Sequence, residues 1–106
     1  MTYTTTTQTL TKPVTVLVTA RTYQGKADAF LPILMDMIEK CVQKAPGNLS
    51  SVAMKDVDDP DRIRLLETWD SQAEHAVFFS DLMAHAGEAL KEFLEVPITV
   101  EYLDAY

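Results

Sequence analysis

The sequence predicts an α+β fold of ferredoxin-like, split β-α-β type, with elements in the order β-α-β-β-α-β. Two observations predict it. Segments rich in Val, Ile, Thr and aromatic residues alternate with stretches whose apolar residues recur at helical spacing. One of those segments, Arg64-Leu65-Leu66-Glu67-Thr68-Trp69-Asp70-Ser71, also carries the only tryptophan to its end and stops at a helix cap. In Ser71-Gln72-Ala73-Glu74 the serine can accept from a helix N–H while the glutamate reaches back. A chain of 106 residues has room for one core, so residues 13–106 form a single domain.

Residues 1–12 are polar and threonine-rich, and are expected to be a flexible tail or an arm for a neighbouring sheet edge. Val14 to Arg21 is the first strand. Val14, Val16, Val18 and Ala20 share one face; Thr15, Leu17, Thr19 and Arg21 share the other. Neither face is fully polar, which predicts cover on both. Gly25 turns the chain into a helix over roughly residues 27–45, where Phe30, Ile33, Leu34, Met37, Ile38, Cys41 and Val42 recur at helical spacing. Cys41 is expected as a small buried hydrophobe. Pro32 fits near the first turn, and Pro46-Gly47 ends the helix.

Asn48 to Lys55 and Arg62 to Trp69 read as antiparallel strands. Their connector holds Asp56, Asp58, Asp59 and Asp61, but no central Gly and no closing Glu, so a solvated loop is favoured over a Ca²⁺ site. A short helix over roughly 72–79 is expected next, then a break at Ser80 and Asp81. A longer helix over roughly 82–95 follows, with Leu82, Met83, Ala86, Ala89, Leu90 and Phe93 as its apolar stripe. Pro97 ends it, and Ile98 to Leu103 is the last strand.

The net charge of −7 argues against nucleic acid or an anionic membrane as partner, because neither would be attracted. One cysteine allows no internal disulfide, and no metal-spaced Cys or His pair occurs. The start lacks the apolar core of a secretory signal, and no apolar run is long enough to span a bilayer. A soluble cytoplasmic protein is the expectation.

The candidate site residues follow from the strand end. Trp69 offers a stacking face and an N–H donor, although a buried core plug is the blander reading. His75, Phe78 and Phe79 fall at i, i+3 and i+4, on one side of the short helix. Ala73, Ala76 and Val77 lie opposite, which suggests a sandwiched helix. His85 sits at the edge of the next apolar stripe and is the better candidate for a base. His75 lies near a helix start, where the charged form is disfavoured.

The chain resembles the antibiotic biosynthesis monooxygenase domain of the dimeric α+β barrel superfamily, over roughly residues 14–103. The matching residues are Gly25-Lys26, Ala45-Pro46-Gly47, Leu49-Ser50, Asp58-Asp59-Pro60 and Glu67-Thr68-Trp69-Asp70-Ser71, together with the broken second helix. The resemblance implies a homodimer whose sheets pack face to face, with helices outside. It implies cofactor-independent oxygenation of anthrones, quinols or related phenols, or, in other members, haem binding and degradation, or no settled activity. Under the first implication Trp69 and Phe78 form an aromatic wall, Phe79 and Met83 add apolar lining, and His75 lies beside them. His85 orients or deprotonates the substrate, and Arg21 steadies phenolate charge if its face opens to the pocket. No metal or cofactor is expected, with haem as the alternative. The chain departs from the family where Phe78 stands in place of a common histidine. For haem it departs at Ala20, where that branch has asparagine, and near Gly87, where its ligand histidine falls. The rival to catalysis is a small-ligand-binding or stress-response dimer of the same fold.

Overall fold

The structure is a computed structural model that describes residues 12–104, so most of the expected tail lies outside the described residues. Four strands form one antiparallel sheet: β1 (Val14–Arg21), β2 (Asn48–Lys55), β3 (Arg62–Trp69) and β4 (Thr99–Leu103), in the spatial order β2-β3-β1-β4. Helices α1 (Ala27–Met37) and α2 (Gln72–Leu90) join β1 to β2 and β3 to β4. This is the split β-α-β arrangement that the element order predicts.

Alternation in the two central strands sets the layers. Val14, Val16, Val18 and Ala20 of β1 are buried, as are Ile63, Leu65, Glu67 and Trp69 of β3. The register places Val14 opposite Trp69 and Val16 opposite Glu67, so one face is apolar except for a single carboxylate. Phe30, Leu34, Ile38 and Val42 close over it. The other face is mixed. It carries Leu17 and Leu66 opposite one another, flanked by Val52, Met54 and Leu103, with Val52 and Leu66 53% and 41% exposed in the single chain.

The first helix does not stay α-helical to residue 45. Ile38–Val42 is a π-helical turn, with Gln43 N–H bonding Ile38 O across 2.9 Å. The buried residues Phe30, Leu34, Ile38 and Val42 are spaced by four. Such a row drifts around an α-helix, whereas a turn closed by i→i+5 bonds holds extra residues and keeps it in phase. The same widening carries Cys41 out to solvent, so it is exposed rather than buried. Pro32 lies well inside α1, beyond the first turn, and lacks the N–H that would bond Asp28 O.

The second helix is not broken. It runs through Ser80 and Asp81 as one span of 19 residues, because neither Pro nor Gly lies within a turn of them and both polar side chains face outward. The only cap is Ser71, whose Oγ accepts from Glu74 N–H at 3.2 Å. Glu74 does not reach back to the Ser71 backbone; its carboxylate takes the Ser71 hydroxyl instead. The helix also stops short of residue 95. Tyr23 N–H donates to Phe93 O and Glu95 N–H to Arg21 O, both at 2.9 Å, which draws this segment into a bridge between Thr22 and Leu94. Ala73, Ala76 and Val77 face solvent in the single chain, so the start of α2 is not sandwiched within it.

The acidic connector is a hairpin loop held by its own aspartates. Asp56 accepts from Asp58 N–H and from Arg62, and Asp59 accepts from Asp61 N–H. Asp59 also pairs with Arg21, and Asp61 takes Gly25 N–H.

Candidate functional site

Glu67 and Trp69 are two apart on β3 and therefore share its helix-facing side. The Ser71 cap starts α2 so that its first turn lays His75 over both. Tyr102, on the same side of β4, closes the group. Trp69 Nε1–H donates to Glu67 Oε1 at 2.7 Å. His75 Nδ1 lies 2.8 Å from the Tyr102 hydroxyl, and His75 Nε2 lies 3.8 Å from Glu67 Oε1. With Tyr102 donating to Nδ1, the imidazole proton sits on Nε2 and points toward the carboxylate. The His75 ring meets Trp69 edge-on at 5.1 Å and stacks on Phe79 at 5.8 Å.

Burial governs the charges. Glu67 is 4% exposed, and desolvation pushes its carboxyl above the ordinary range, with the Trp69 bond pulling the other way. His75 is 1% exposed, and burial lowers its imidazole below 6.5. Burial also raises the Tyr102 phenol. These shifts favour neutral groups, consistent with a hydrogen-bonded network rather than an ion pair.

Two cavities lie under and beside α2. The inner one measures about 50 Å³ and sits between the sheet, α1 and α2, with Val18, Leu34, Val42, Leu65 and Phe78 among its walls. Glu67 and His75 also border it. The outer one is a groove of about 860 Å³ along the C-terminal half of α2, bounded by Tyr23, His85, Lys91 and Pro97. Phe79, Met83, Leu90 and Ile98 line both and form the wall between them.

The structure gathers five of the expected site residues into two groups and leaves Trp69 and Arg21 outside both. His85, Phe79 and Met83 meet on the outer groove. His85 is exposed there, and its Nδ1–H donates to Asp81 O at 2.8 Å, which leaves Nε2 as an acceptor. His75 and Phe78 border the inner cavity. Trp69 is fully buried and lines neither cavity; its ring fills the core against Phe78 at 5.2 Å. It is the core plug, not a groove wall. Arg21 lies apart, on the sheet face away from the helices, where it pairs with Asp59. Glu67 and Tyr102 were not expected at a site. Period two in β3 carries the signal for Glu67, which follows Ile63 and Leu65 on one apolar face. Nothing local marks Tyr102, because its partner comes from α2.

The topology defines a ferredoxin-like α+β protein, with a groove of ligand size along its second helix. The sequence matches the family model described as antibiotic biosynthesis monooxygenase over residues 13–89. The chain belongs to that family. No curated protein matches it. Among solved structures, a candidate antibiotic biosynthesis monooxygenase from Caulobacter crescentus is 22% identical, with a TM-score of 0.75 over 95% of this chain and 98% of that one. A candidate of the same description from Nitrosomonas europaea is 18% identical, with a TM-score of 0.74 over 88% and 89%. A conserved protein from Methanosarcina mazei is 16% identical, with a TM-score of 0.75 over 95% and 99%. These likenesses establish the fold. No helix among the described residues is long and apolar enough to cross a membrane.

Proposed function

We propose that the protein is a cofactor-independent monooxygenase acting on a small phenolic, quinol or anthrone-like substrate held in the outer groove. The observation that carries this reading is the meeting of His85, Phe79 and Met83 on one groove of about 860 Å³. That volume falls in the range of small-molecule sites, about 300–1,000 Å³. Triplet oxygen reacts slowly with closed-shell molecules, whereas an electron-rich phenolate or carbanion can pass it an electron. The protein therefore has to hold a flat substrate away from water and take up its proton. His85 Nε2 is the acceptor for that proton, and Phe79 and Met83 supply apolar contact. One oxygen atom enters the substrate carbon, the other leaves as water with two hydrogens from the substrate, and an anthrone or quinol is thereby carried to the quinone level. Arg21 has no part in this scheme, because its guanidinium is committed to Asp59.

Oxygen uptake with a panel of dihydroxyarenes and anthrones tests the proposal. Turnover with at least one of them, reduced by about 10²-fold or more in His85→Ala, is expected for a general base. No uptake with any of them sinks it. The filled space around Trp69 favours a second reading, a non-catalytic binding protein of the same fold. Saturable binding of the same phenols without oxygen uptake would select it.

The same reading includes a homodimer formed through the helix-free sheet face. Val52, Met54, Leu66 and Leu103 expose apolar surface there. Arg64 Nε, on that face, is buried without a hydrogen-bond partner among the described residues. A second sheet would cover the first group and offer acceptors to the second.

A further inference from the structure

We propose that the inner cavity is a dioxygen chamber, which stores the gas one side chain away from the groove. Its meaning for catalysis rests on the monooxygenase reading; its occupancy does not. The first argument is size. At about 50 Å³ it exceeds the roughly 10–15 Å³ that one water requires, yet it is about a third of the 150 Å³ cavity known to admit benzene. A diatomic gas fits, whereas an aromatic substrate does not.

The second argument is polarity. Val18, Leu34, Val42, Leu65 and Phe78 give it hydrocarbon walls. Glu67 and His75 border it, but Glu67 Oε1 is turned to Trp69 and His75 Nδ1 to Tyr102. A trapped water needs two to four polar partners, and few are offered. An apolar cavity of this kind stays dry and takes up apolar gases.

The third argument is position. Phe79, Met83, Leu90 and Ile98 separate the chamber from the groove, and Met83 is the most flexible side chain of that wall. The chamber is also a local product of the sequence. Ala20 is the small residue in an otherwise valine row on β1, and it lines the cavity together with Val42 of the π-helical turn. Oxygen held there would meet a substrate at the wall, away from bulk water.

Dissolved oxygen is paramagnetic, so its residence can be read directly from methyl relaxation in the intact protein. Under oxygen compared with nitrogen, the methyls of Val18, Leu34, Val42 and Leu65 should relax several-fold faster than those of Val14, Val16 and Ile63, which are equally buried but line neither cavity. Val42→Leu and Ala20→Val each fill the space and should remove the excess while the remaining spectrum stays folded. If turnover is found, both variants should raise KM for oxygen and leave KM for the phenol unchanged. Equal relaxation of both methyl sets overturns the proposal, as does an excess that survives in both filled variants. An unchanged KM for oxygen overturns the supply role. Failure to find any substrate removes the monooxygenase reading alone, since the relaxation measurement decides the chamber without turnover.

Discussion

Trp69 donates its indole N–H to Glu67 Oε1 across 2.7 Å, inside a core where both residues are almost wholly excluded from water. The tryptophan thereby fills volume and also satisfies a buried carboxyl that few other groups can reach. Trp69→Phe keeps most of the ring but removes the donor. Leaving a buried polar group unsatisfied costs about 1–3 kcal/mol, and the lost ring volume adds to it. Urea unfolding should show a free energy of unfolding lowered by that amount, seen as a lower midpoint at an unchanged slope. An unfolding free energy within about 0.5 kcal/mol of the parent would mean the bond contributes nothing net.

The network makes stability depend on pH in two opposite senses. Burial raises Glu67 above 4.5, so from that value upward the native state holds a proton that the unfolded chain has released. Its contribution is full below 4.5 and is lost as pH rises through the raised value. Burial lowers His75 below 6.5, so the native imidazole stays neutral while the unfolded one takes a proton. That contribution is full above 6.5 and is lost as pH falls through the lowered value. Glu67→Gln should therefore gain on the parent as pH rises, and His75→Gln should gain as it falls, each by at most about 1.4 kcal/mol per pH unit. Parallel stability–pH curves for parent and variants would contradict both assignments.

Gly47 joins the end of the first helical region to the cap of α2. Its carbonyl accepts Asp70 N–H at 2.7 Å, and its φ of +91° lies where side chains are disfavoured. A Cβ placed there would sit 2.7 Å from Glu74 Cδ. Gly47→Ala should cost about 1–3 kcal/mol from backbone strain and the contact together. The Glu74 side chain is flexible, so the strain is the larger part. Glu74→Ala in the same chain should recover only the steric share, with a coupling of about 0.5 kcal/mol or more in a double-mutant cycle. Full recovery would show that the clash, and not the φ angle, reserves this position for glycine.

Most of the sheet was legible from the sequence because its cause is local. Alternation in β1 and β3 and the turn residues at Gly25 and Gly47 fix β1, β2 and β3 residue for residue. The helices were less legible. Ser80-Asp81 has the chemistry of a cap, but capping requires a chain that leaves the helix, and here the apolar residues on either side continue one stripe. The π-helical turn depends on which of Cys41 and Val42 meets the sheet, a tertiary choice. The site was legible in part. Phe79, Met83 and His85 share a helix side that spacing reveals. The placement of Trp69 outside the pocket depends on the distance between layers, and the Tyr102 contact joins segments 27 residues apart.

The helix-free sheet face gives the last prediction. Leu17 and Leu66 are paired across β1 and β3 at its centre, with Val52 beside Leu66 on β2. Burying a leucine or valine side chain contributes about 1.5–3 kcal/mol, so a second sheet laid over this patch would gain several such terms. Leu66→Asp would instead place a desolvated charge at the middle of the contact. Light scattering should return about twice the 11.9 kDa chain mass for the parent and a value near 11.9 kDa for the variant at low micromolar concentration. A charge placed on the exposed Val77 of α2 serves as the control, since that helix surface lies on the opposite side of the sheet and should leave the mass unchanged. A monomeric parent would remove the dimer, and a Leu66→Asp variant that keeps the double mass would move the interface elsewhere.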